Sequence, residues 1–277
     1  MYSRVYVEIG NVCNMNCSFC HGTSREPRQM NFSEFQYAVK SIRHLTDYLY
    51  LHVMGEPLMH PELINFIGYA SSLGFKCAIT TNGTLLKKRG EELLKSGVYK
   101  VNISLHSFEN GSRAAEKKYL DTCLDFADKA SELGILSVLR LWNGEGSGGK
   151  NAFGYSEIRE KFSDCEWVYG KRGARIKHRL HLEYGERFEW PDIGIESLGD
   201  RVFCYGLSDH FGILSSGDVV PCCLDGDGVI KLGNIFSSNI DEILSSERAE
   251  NMRRGFRCKT ASEELCKRCG YARRFKV

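Results

Sequence analysis

From residue 5 to about residue 142 the chain alternates between two hydrophobic rhythms. Short apolar runs rich in β-branched and aromatic residues predict strands at Val5–Ile9, Tyr48–Val53, Lys76–Thr80, Lys100–Leu105 and Leu136–Leu141. Between them, apolar residues recur every three or four positions, which predicts helices over Ser33–Leu45, Pro61–Leu73, Leu86–Ser96 and Glu116–Leu133. Ser33 stands as an N-cap before the stripe Phe35, Ala38, Val39 and Ile42. Gly74, Gly97 and Gly134 each fall where a helix should stop. Repeated strand–helix units imply a parallel sheet with right-handed crossovers. The expected fold class is α/β, a partial (β/α)6 barrel over residues 1–203, with its chemistry at the C-terminal ends of the strands.

After residue 142 the rhythm fails. Residues 143–155 (NGEGSGGKNAFGY) form a Gly-rich break, open to reading as a lid or as a linker. Residues 156–203 offer one short helix, a basic patch (Lys171, Arg172, Arg175, Lys177, Arg179) and the mixed segment HLEYGERFEWPDIG. From Cys204 onward the composition shifts to cysteine, glycine and turn pairs, and a second, small domain is expected over residues 204–277. A chain of 277 residues that is 42% hydrophobic can bury a sizeable core, and no apolar run approaches the ~20 residues needed to cross a bilayer. A strand that begins at Val5 leaves no room for a targeting peptide. A net charge of +2 speaks against nucleic acid as the main partner. The basic end RRFK (Arg273–Lys276) and the Lys171–Arg179 patch are the only support for an RNA-binding module, and such runs are usually solvated faces. Twelve cysteines without a secretory signal point to reduced thiols and metal ligands, hence to the cytoplasm of an anaerobic or microaerobic cell.

Three of those cysteines carry the sharpest signal. Cys13, Cys17 and Cys20 lie in CNMNCSFC with C-x3-C-x2-C spacing, on the loop after the first strand. A cubane 4Fe-4S cluster has four irons, and three thiolates leave one iron open for a small molecule. Such an open iron on a reducible cluster suits the binding and cleavage of S-adenosylmethionine. Zinc sites usually take two separated pairs instead, and disulfide frameworks belong mainly to short secreted chains.

With that loop, Gly55-Glu56-Pro57 and TTNGT (Thr80–Thr84), the chain resembles the radical S-adenosylmethionine (SAM) enzymes over nearly its whole length. The resemblance implies reductive cleavage of SAM to a 5′-deoxyadenosyl radical that abstracts a substrate hydrogen. It implies that Gly55 and Glu56 bind the methionine ammonium, that Phe19 contacts adenine, that Ser104 contacts ribose or carboxylate, and that Arg140 binds the carboxylate. A flavodoxin- or ferredoxin-type reductant is implied with it. The C-terminal part resembles the twitch variant of the SPASM domain through Cys204, Gly217, Cys222, Cys266 and Cys269, with LGNI (Leu232–Ile235) and a helix near Ile240–Gly255. That implies a second, auxiliary 4Fe-4S cluster on Cys204, Cys222, Cys266 and Cys269. Cys223 and Cys258 remain alternative ligands, a zinc knuckle is the bland reading of the four, and Cys77, Cys123 and Cys165 read as free thiols.

Substrate is where the sequence thins out. His52, His106, Trp142, Asn143, Glu183, Tyr184, Trp190 and Asp192 lie near strand ends or in the poorly patterned middle. Glu183 and Asp192 could accept hydrogen bonds from a guanine-like edge, with the aromatics stacking on it. Within the family, the whole chain is similar to queuine lyases, which release 7-aminomethyl-7-deazaguanine from queuine. The resemblance therefore implies a small-molecule substrate such as a 7-deazaguanine base. A ribosomal-peptide maturase or radical dehydrogenase and a non-enzymatic metal- or RNA-binding module are the alternatives.

Overall fold

The computed structural model describes residues 1–109, 111–144 and 146–275, so Glu145 of the Gly-rich break and Lys276 of the basic end lie outside the described residues. Strand and helix alternate as β1 (Arg4–Val7), α1 (Phe32–Ser41), β2 (Tyr48–Tyr50), α2 (Leu63–Ser72), β3 (Lys76–Thr81), α3 (Leu86–Leu94), β4 (Lys100–Ser104), α4 (Arg113–Glu132), β5 (Leu136–Leu141) and α5 (Ala152–Lys161). A hairpin of β6 (Val168–Gly170) and β7 (Gly173–Lys177) leads into β8 (Leu180–Tyr184). Then come β9 (His210–Ile213), β10 (Asp218–Val220), β11 (Gly233–Asn234), α6 (Ile240–Leu244), α7 (Glu247–Arg257) and α8 (Glu264–Lys267). All described strands join one sheet, in the order β11-β10-β9-β1-β2-β3-β4-β5-β8-β7-β6.

β1, β2, β3, β4, β5 and β8 pair in parallel one to the next, which gives the expected six-stranded partial barrel, while β8 meets β7 antiparallel on its other side. The sixth parallel strand arrives late because the β6–β7 hairpin precedes it. Sequence reading misses that hairpin. Its strands are short, and its return to β8 turns at Arg179 with φ +62, where no glycine marks the place. The predicted Gly-rich break is also partly ordered, since α5 starts at Ala152.

The helix starts and stops follow local chemistry. Asn31, not Ser33, caps α1, and Glu34 closes a capping box with it. Gly74, Gly97 and Gly134 all adopt positive φ (+86, +84 and +80), the left-handed conformation that ends a helix cheaply only at glycine. The single helix expected over residues 240–255 is two, because Ser246 starts a new cap by accepting from the Ala249 amide.

Alternation along the strands decides what the barrel holds. In β1, Val5 and Val7 are buried under the helical layer, while Arg4 and Tyr6 line the interior. In β2, Leu49 is buried outward and Tyr50 lines the interior. The apolar core therefore sits between sheet and helices, typified by the stacked Phe35 and Phe66 rings at 4.2 Å. The barrel interior is aromatic and polar instead of aliphatic. β9 pairs parallel with the free side of β1, so the C-terminal strands extend the barrel's own sheet.

Candidate functional site

Cys13, Cys17 and Cys20 sit on the loop that leaves β1, with Cys13 and Cys20 exposed and Cys17 half-buried. Segments from across the fold hold this loop. Asn82 of the TTNGT turn donates to Asn14 Oδ1 at 2.9 Å, and Asn14 donates to Thr84 Oγ1 at 2.9 Å. The Ser18 amide and hydroxyl both donate to Glu109 at 2.5 Å. Trp190 Nε1 donates to the Phe19 carbonyl at 2.9 Å. Past Cys20, Arg25 forms a two-pronged pair with Glu8 at 2.8 and 2.7 Å. Asp227, from the β10–β11 loop, accepts from Thr23 Oγ1 at 2.7 Å and from the Ser24 amide at 2.8 Å.

Glu8 is a buried carboxylate in β1 that also accepts from the Met54 amide (3.1 Å) and from the Ser215 amide (3.1 Å) and hydroxyl (2.9 Å). It therefore joins the cysteine loop to the turns after β2 and β9. Sequence reading missed Glu8, Glu109 and Asp227, whose roles depend on long-range partners. Only the interruption of an apolar run by Glu8 (VYVEI) was a local signal.

The turn after β2 is pressed against the same loop. Gly55 has φ +81, and a Cβ there would fall 2.5 Å from the Gly10 carbonyl oxygen and 2.9 Å from that of Val12. No other residue fits, and the Glu56 amide donates to Val12 O at 2.9 Å. The Glu56 side chain accepts from the Leu58 amide (3.0 Å), Thr81 Oγ1 (2.8 Å) and the Asn82 amide (2.7 Å). Burial pushes its carboxyl upward, and those hydrogen bonds oppose the shift. Glu56 thus joins the turn after β2 to the turn after β3, with acceptor capacity left on Oε2.

Three exposed or half-exposed thiols on one clamped loop fit a cubane held at three corners. Among the described residues no three His, Cys, Asp or Glu side chains converge as a single metal ion would require.

Ser104 ends β4 directly opposite Arg140 on β5. Phe19 packs on His106 (4.8 Å between centroids), His106 on Trp142 (6.2 Å), and the Arg140 guanidinium lies 4.6 Å from the Trp142 ring. The wall so formed leads from the cysteine loop into a cavity of about 470 Å³. Burial pushes the His106 ring down to about 4 and the His52 ring down to about 3, so both are neutral at physiological pH.

The same cavity is lined by Cys204, Cys222, Cys266 and Cys269. Burial and the surrounding thiols push Cys222 and Cys266 well above the ordinary thiol range. Cys223, Cys204, Cys266 and Cys269 all act on Cys222, so five thiols gather here, one more than a four-thiolate cluster needs. Cys223 adjoins this set with its thiol hydrogen-bonded to Tyr6. Cys258 is exposed at the C-terminal end of α7. Cys77 and Cys123 are buried in the core, where burial pushes each thiol up to about 12.

Of the other sequence candidates, His52, His106, Trp142 and Trp190 line the cavity. Glu183 pairs with Arg140 at 3.4 Å, Tyr184 packs beside Tyr155, Asn143 bonds Asn151 at 2.9 Å, and Asp192 accepts from the Gly194 amide at 2.7 Å. These four stand behind or outside the cavity wall. The basic patch is partly neutralised, with Lys177 paired to Asp128.

Comparison with known proteins agrees with this geometry. Residues 7–147 match the Radical SAM superfamily, and residues 190–270 match an iron-sulfur cluster-binding domain, SPASM. A GTP 3′,8-cyclase of Aliarcobacter butzleri is 31% identical over 281 residues, spanning 86% of this chain and 85% of the relative. A probable GTP 3′,8-cyclase of Sulfurisphaera tokodaii is 24% identical, spanning 93% and 92%. Among solved structures, BtrN in complex with AdoMet and 2-DOIA superposes with a TM-score of 0.62 at 19% identity, over 97% of this chain and 93% of that one. Streptococcus suis SuiB bound to precursor peptide SuiA gives a TM-score of 0.62 at 17% identity, over 98% and 71%.

Proposed function

The chain belongs to the radical SAM superfamily, and from that premise we propose that it acts on a compact, non-anionic small molecule seated between its two cysteine sets, a 7-deazaguanine base such as queuine being the candidate. The cofactors of this enzyme are 4Fe-4S clusters and SAM. Bound at Cys13, Cys17 and Cys20, the cluster and SAM together supply a 5′-deoxyadenosyl radical that removes a substrate hydrogen. The chain's own residues orient the partners and exclude water. Gly55 and Glu56 offer acceptors to the methionine ammonium, Ser104 and Arg140 face its carboxylate and ribose, and Phe19 with His106 walls the adenine. Cys204, Cys222, Cys266 and Cys269 hold the auxiliary cluster on the far side of the substrate. On queuine, hydrogen removal from the cyclopentene-diol would leave a carbon radical beside the C–N bond. Scission of that bond would give an unsaturated ring product and a nitrogen-centred radical, which one electron from the flavodoxin- or ferredoxin-type donor and one proton would convert to 7-aminomethyl-7-deazaguanine.

The observation that carries the substrate class is the state of the cavity's cations. Arg140 is assigned to the SAM carboxylate; of the other two cavity arginines, Arg4 is paired with Asp209 at 2.8 Å and Arg187 with Glu109 at 3.6 Å. A polyphosphate calls for uncompensated guanidinium groups. Aromatic walls with compensated charges suit a neutral or cationic ring system, and about 470 Å³ lies within the usual range for small-ligand pockets. A guanine nucleotide is the second reading, favoured by the A. butzleri and S. tokodaii relatives, both named as GTP 3′,8-cyclases.

We place the enzyme in the cytoplasm with a flavodoxin- or ferredoxin-type electron donor. No described helix is long and apolar enough to cross a membrane. The test is anaerobic turnover of the cluster-loaded enzyme with reductant, SAM and either queuine or GTP, followed by mass spectrometry. An aminomethyl-deazaguanine product is expected from queuine. Conversion of GTP with queuine untouched would replace this reading with the second.

A further inference from the structure

Six buried side-chain polar atoms among the described residues have no hydrogen-bond partner: Arg4 Nε, His52 Nδ1, Asn102 Oδ1, Ser137 Oγ, Arg140 Nε and Trp142 Nε1. Four of these belong to cavity-lining residues, Arg4, His52, Arg140 and Trp142. A buried donor left unpaired costs about 1–3 kcal/mol, and because these atoms have almost no accessible surface, a ligand in the cavity becomes their partner through a small rotation of the side chain on binding. Arg140, in register with Ser104, and Trp142, whose ring the Arg140 guanidinium covers, belong to the proposed SAM site. His52 lies lower. The registers Thr80↔Asn102↔Val138 and Ser104↔Arg140 set it, through its bond to Thr80, one side-chain layer beneath Arg140. The rings of Tyr6 (5.7 Å) and Tyr50 (5.8 Å) flank it, and Arg4 lies over the Tyr50 ring.

A chain of hydrogen bonds fixes which nitrogen of His52 carries the proton. Asn102 Nδ2 donates to the Ile79 carbonyl at 3.2 Å, which fixes the orientation of the amide, and to Thr80 Oγ1 at 3.1 Å. The Thr80 hydroxyl, already accepting, has one proton to give, and His52 Nε2 stands 3.1 Å away. The reverse arrangement would leave the Thr80 proton with no acceptor. Nε2 is therefore the acceptor, and the proton of the neutral ring sits on Nδ1.

We propose that the cavity floor is a subsite for a hydrogen-bond acceptor, in which His52 Nδ1–H reads a carbonyl, hydroxyl or ring nitrogen of the substrate. This rests on the proposed placement of a small substrate between the cysteine sets. His52 is a positioning residue. It touches the end of the substrate remote from the hydrogen being removed and fixes which carbon faces the radical. Asn102 and Thr80 act through it.

The experiment compares wild type with His52→Leu, His52→Asn and Thr80→Val, all cluster-loaded, with queuine and with GTP. For whichever compound wild type converts, His52→Leu should raise KM about tenfold or more while kcat moves less. His52→Asn, whose amide nitrogen replaces Nδ1–H, should recover most of the loss. An unchanged KM in His52→Leu overturns the subsite. Conversion of GTP instead of queuine overturns only the substrate named above. A readout that needs no substrate comes from the ¹⁵N imidazole spectrum of histidine-labelled enzyme with SAM bound, assigned by the signal lost in His52→Asn. It should show a neutral ring protonated at Nδ1, and Thr80→Val should release that preference. Protonation at Nε2 in wild type overturns the proposal whatever the substrate.

Discussion

At the scale of single residues, the cysteine loop owes its shape to side chains other than its thiols. Glu8 shows why. Its two oxygens receive Arg25, the Met54 amide and the Ser215 amide and hydroxyl, all away from solvent. Removing the carboxylate leaves a guanidinium and backbone donors buried without partners, a class of change that costs about 3–5 kcal/mol. Glu8→Ala should therefore lower unfolding stability by that order and reduce iron bound at the first site. Anaerobic urea denaturation and iron analysis check both, and retention of wild-type stability would show that Glu8 is dispensable. The grouping of Cys13, Cys17 and Cys20 was legible in the sequence because all three lie on one loop, whose spacing is local. Glu8 was not, since its partners lie 17, 46 and 207 positions away. The individual substrate candidates divide on the same ground. His52 and Trp142 sit at strand ends that alternation can place, whereas Asp192 belongs to a turn whose direction no periodicity encodes.

Elements behave differently. The β1 to β5 alternation, the four helices between them and three glycine stops were all readable, because each is set by neighbours three or four positions away. The β6–β7 hairpin and the break between α6 and α7 escaped, because short strands and a mid-pattern serine cap carry weak periodic signal. The loop between β10 and β11 is the clearest case of an element defined by its target. Asp227 accepts from Thr23 and Ser24 and lies 3.4 Å from His21, while the Gly226 carbonyl accepts from Arg25 Nε at 2.8 Å. This loop closes over the segment just past Cys20. Because Asp227 is partly exposed, its loss should loosen that segment without unfolding the protein. Asp227→Ala is expected to change stability by no more than about 1–2 kcal/mol while lowering the yield of 5′-deoxyadenosine per iron several-fold. Circular dichroism melts alongside quantified 5′-deoxyadenosine check the pair. A proportional fall in both would mean that the loop supports the fold generally and not the cysteine loop in particular.

For the whole molecule, the question is whether the barrel and the C-terminal cysteine region are separable bodies. The composition shift at Cys204 invites a cut there, and the cluster-binding family match starts earlier, at residue 190. The sheet runs across either point. β9 pairs with β1 over four residues, from Arg4↔His210 to Val7↔Ile213, and the Glu8 amide continues the ladder to Ile213 O at 2.8 Å. Phe211, Ile213 and Val219 are fully buried in the same hydrophobic core as Val5 and Val7. A fragment of residues 1–203 would expose the edge of β1, uncover that apolar surface and deprive buried Glu8 of Ser215. An uncovered strand edge beside an exposed apolar face is a template for aggregation. The fragment should therefore aggregate or unfold without a cooperative transition, where the full chain unfolds cooperatively. Size-exclusion chromatography and urea unfolding of the two distinguish these outcomes. A monomeric fragment with a sharp transition would mean that the barrel folds alone and that β9 docks on a finished edge. If the fragment fails as expected, assembly of the C-terminal cysteine site is coupled to closure of β1, and one folding event places both sets of thiolates around the cavity.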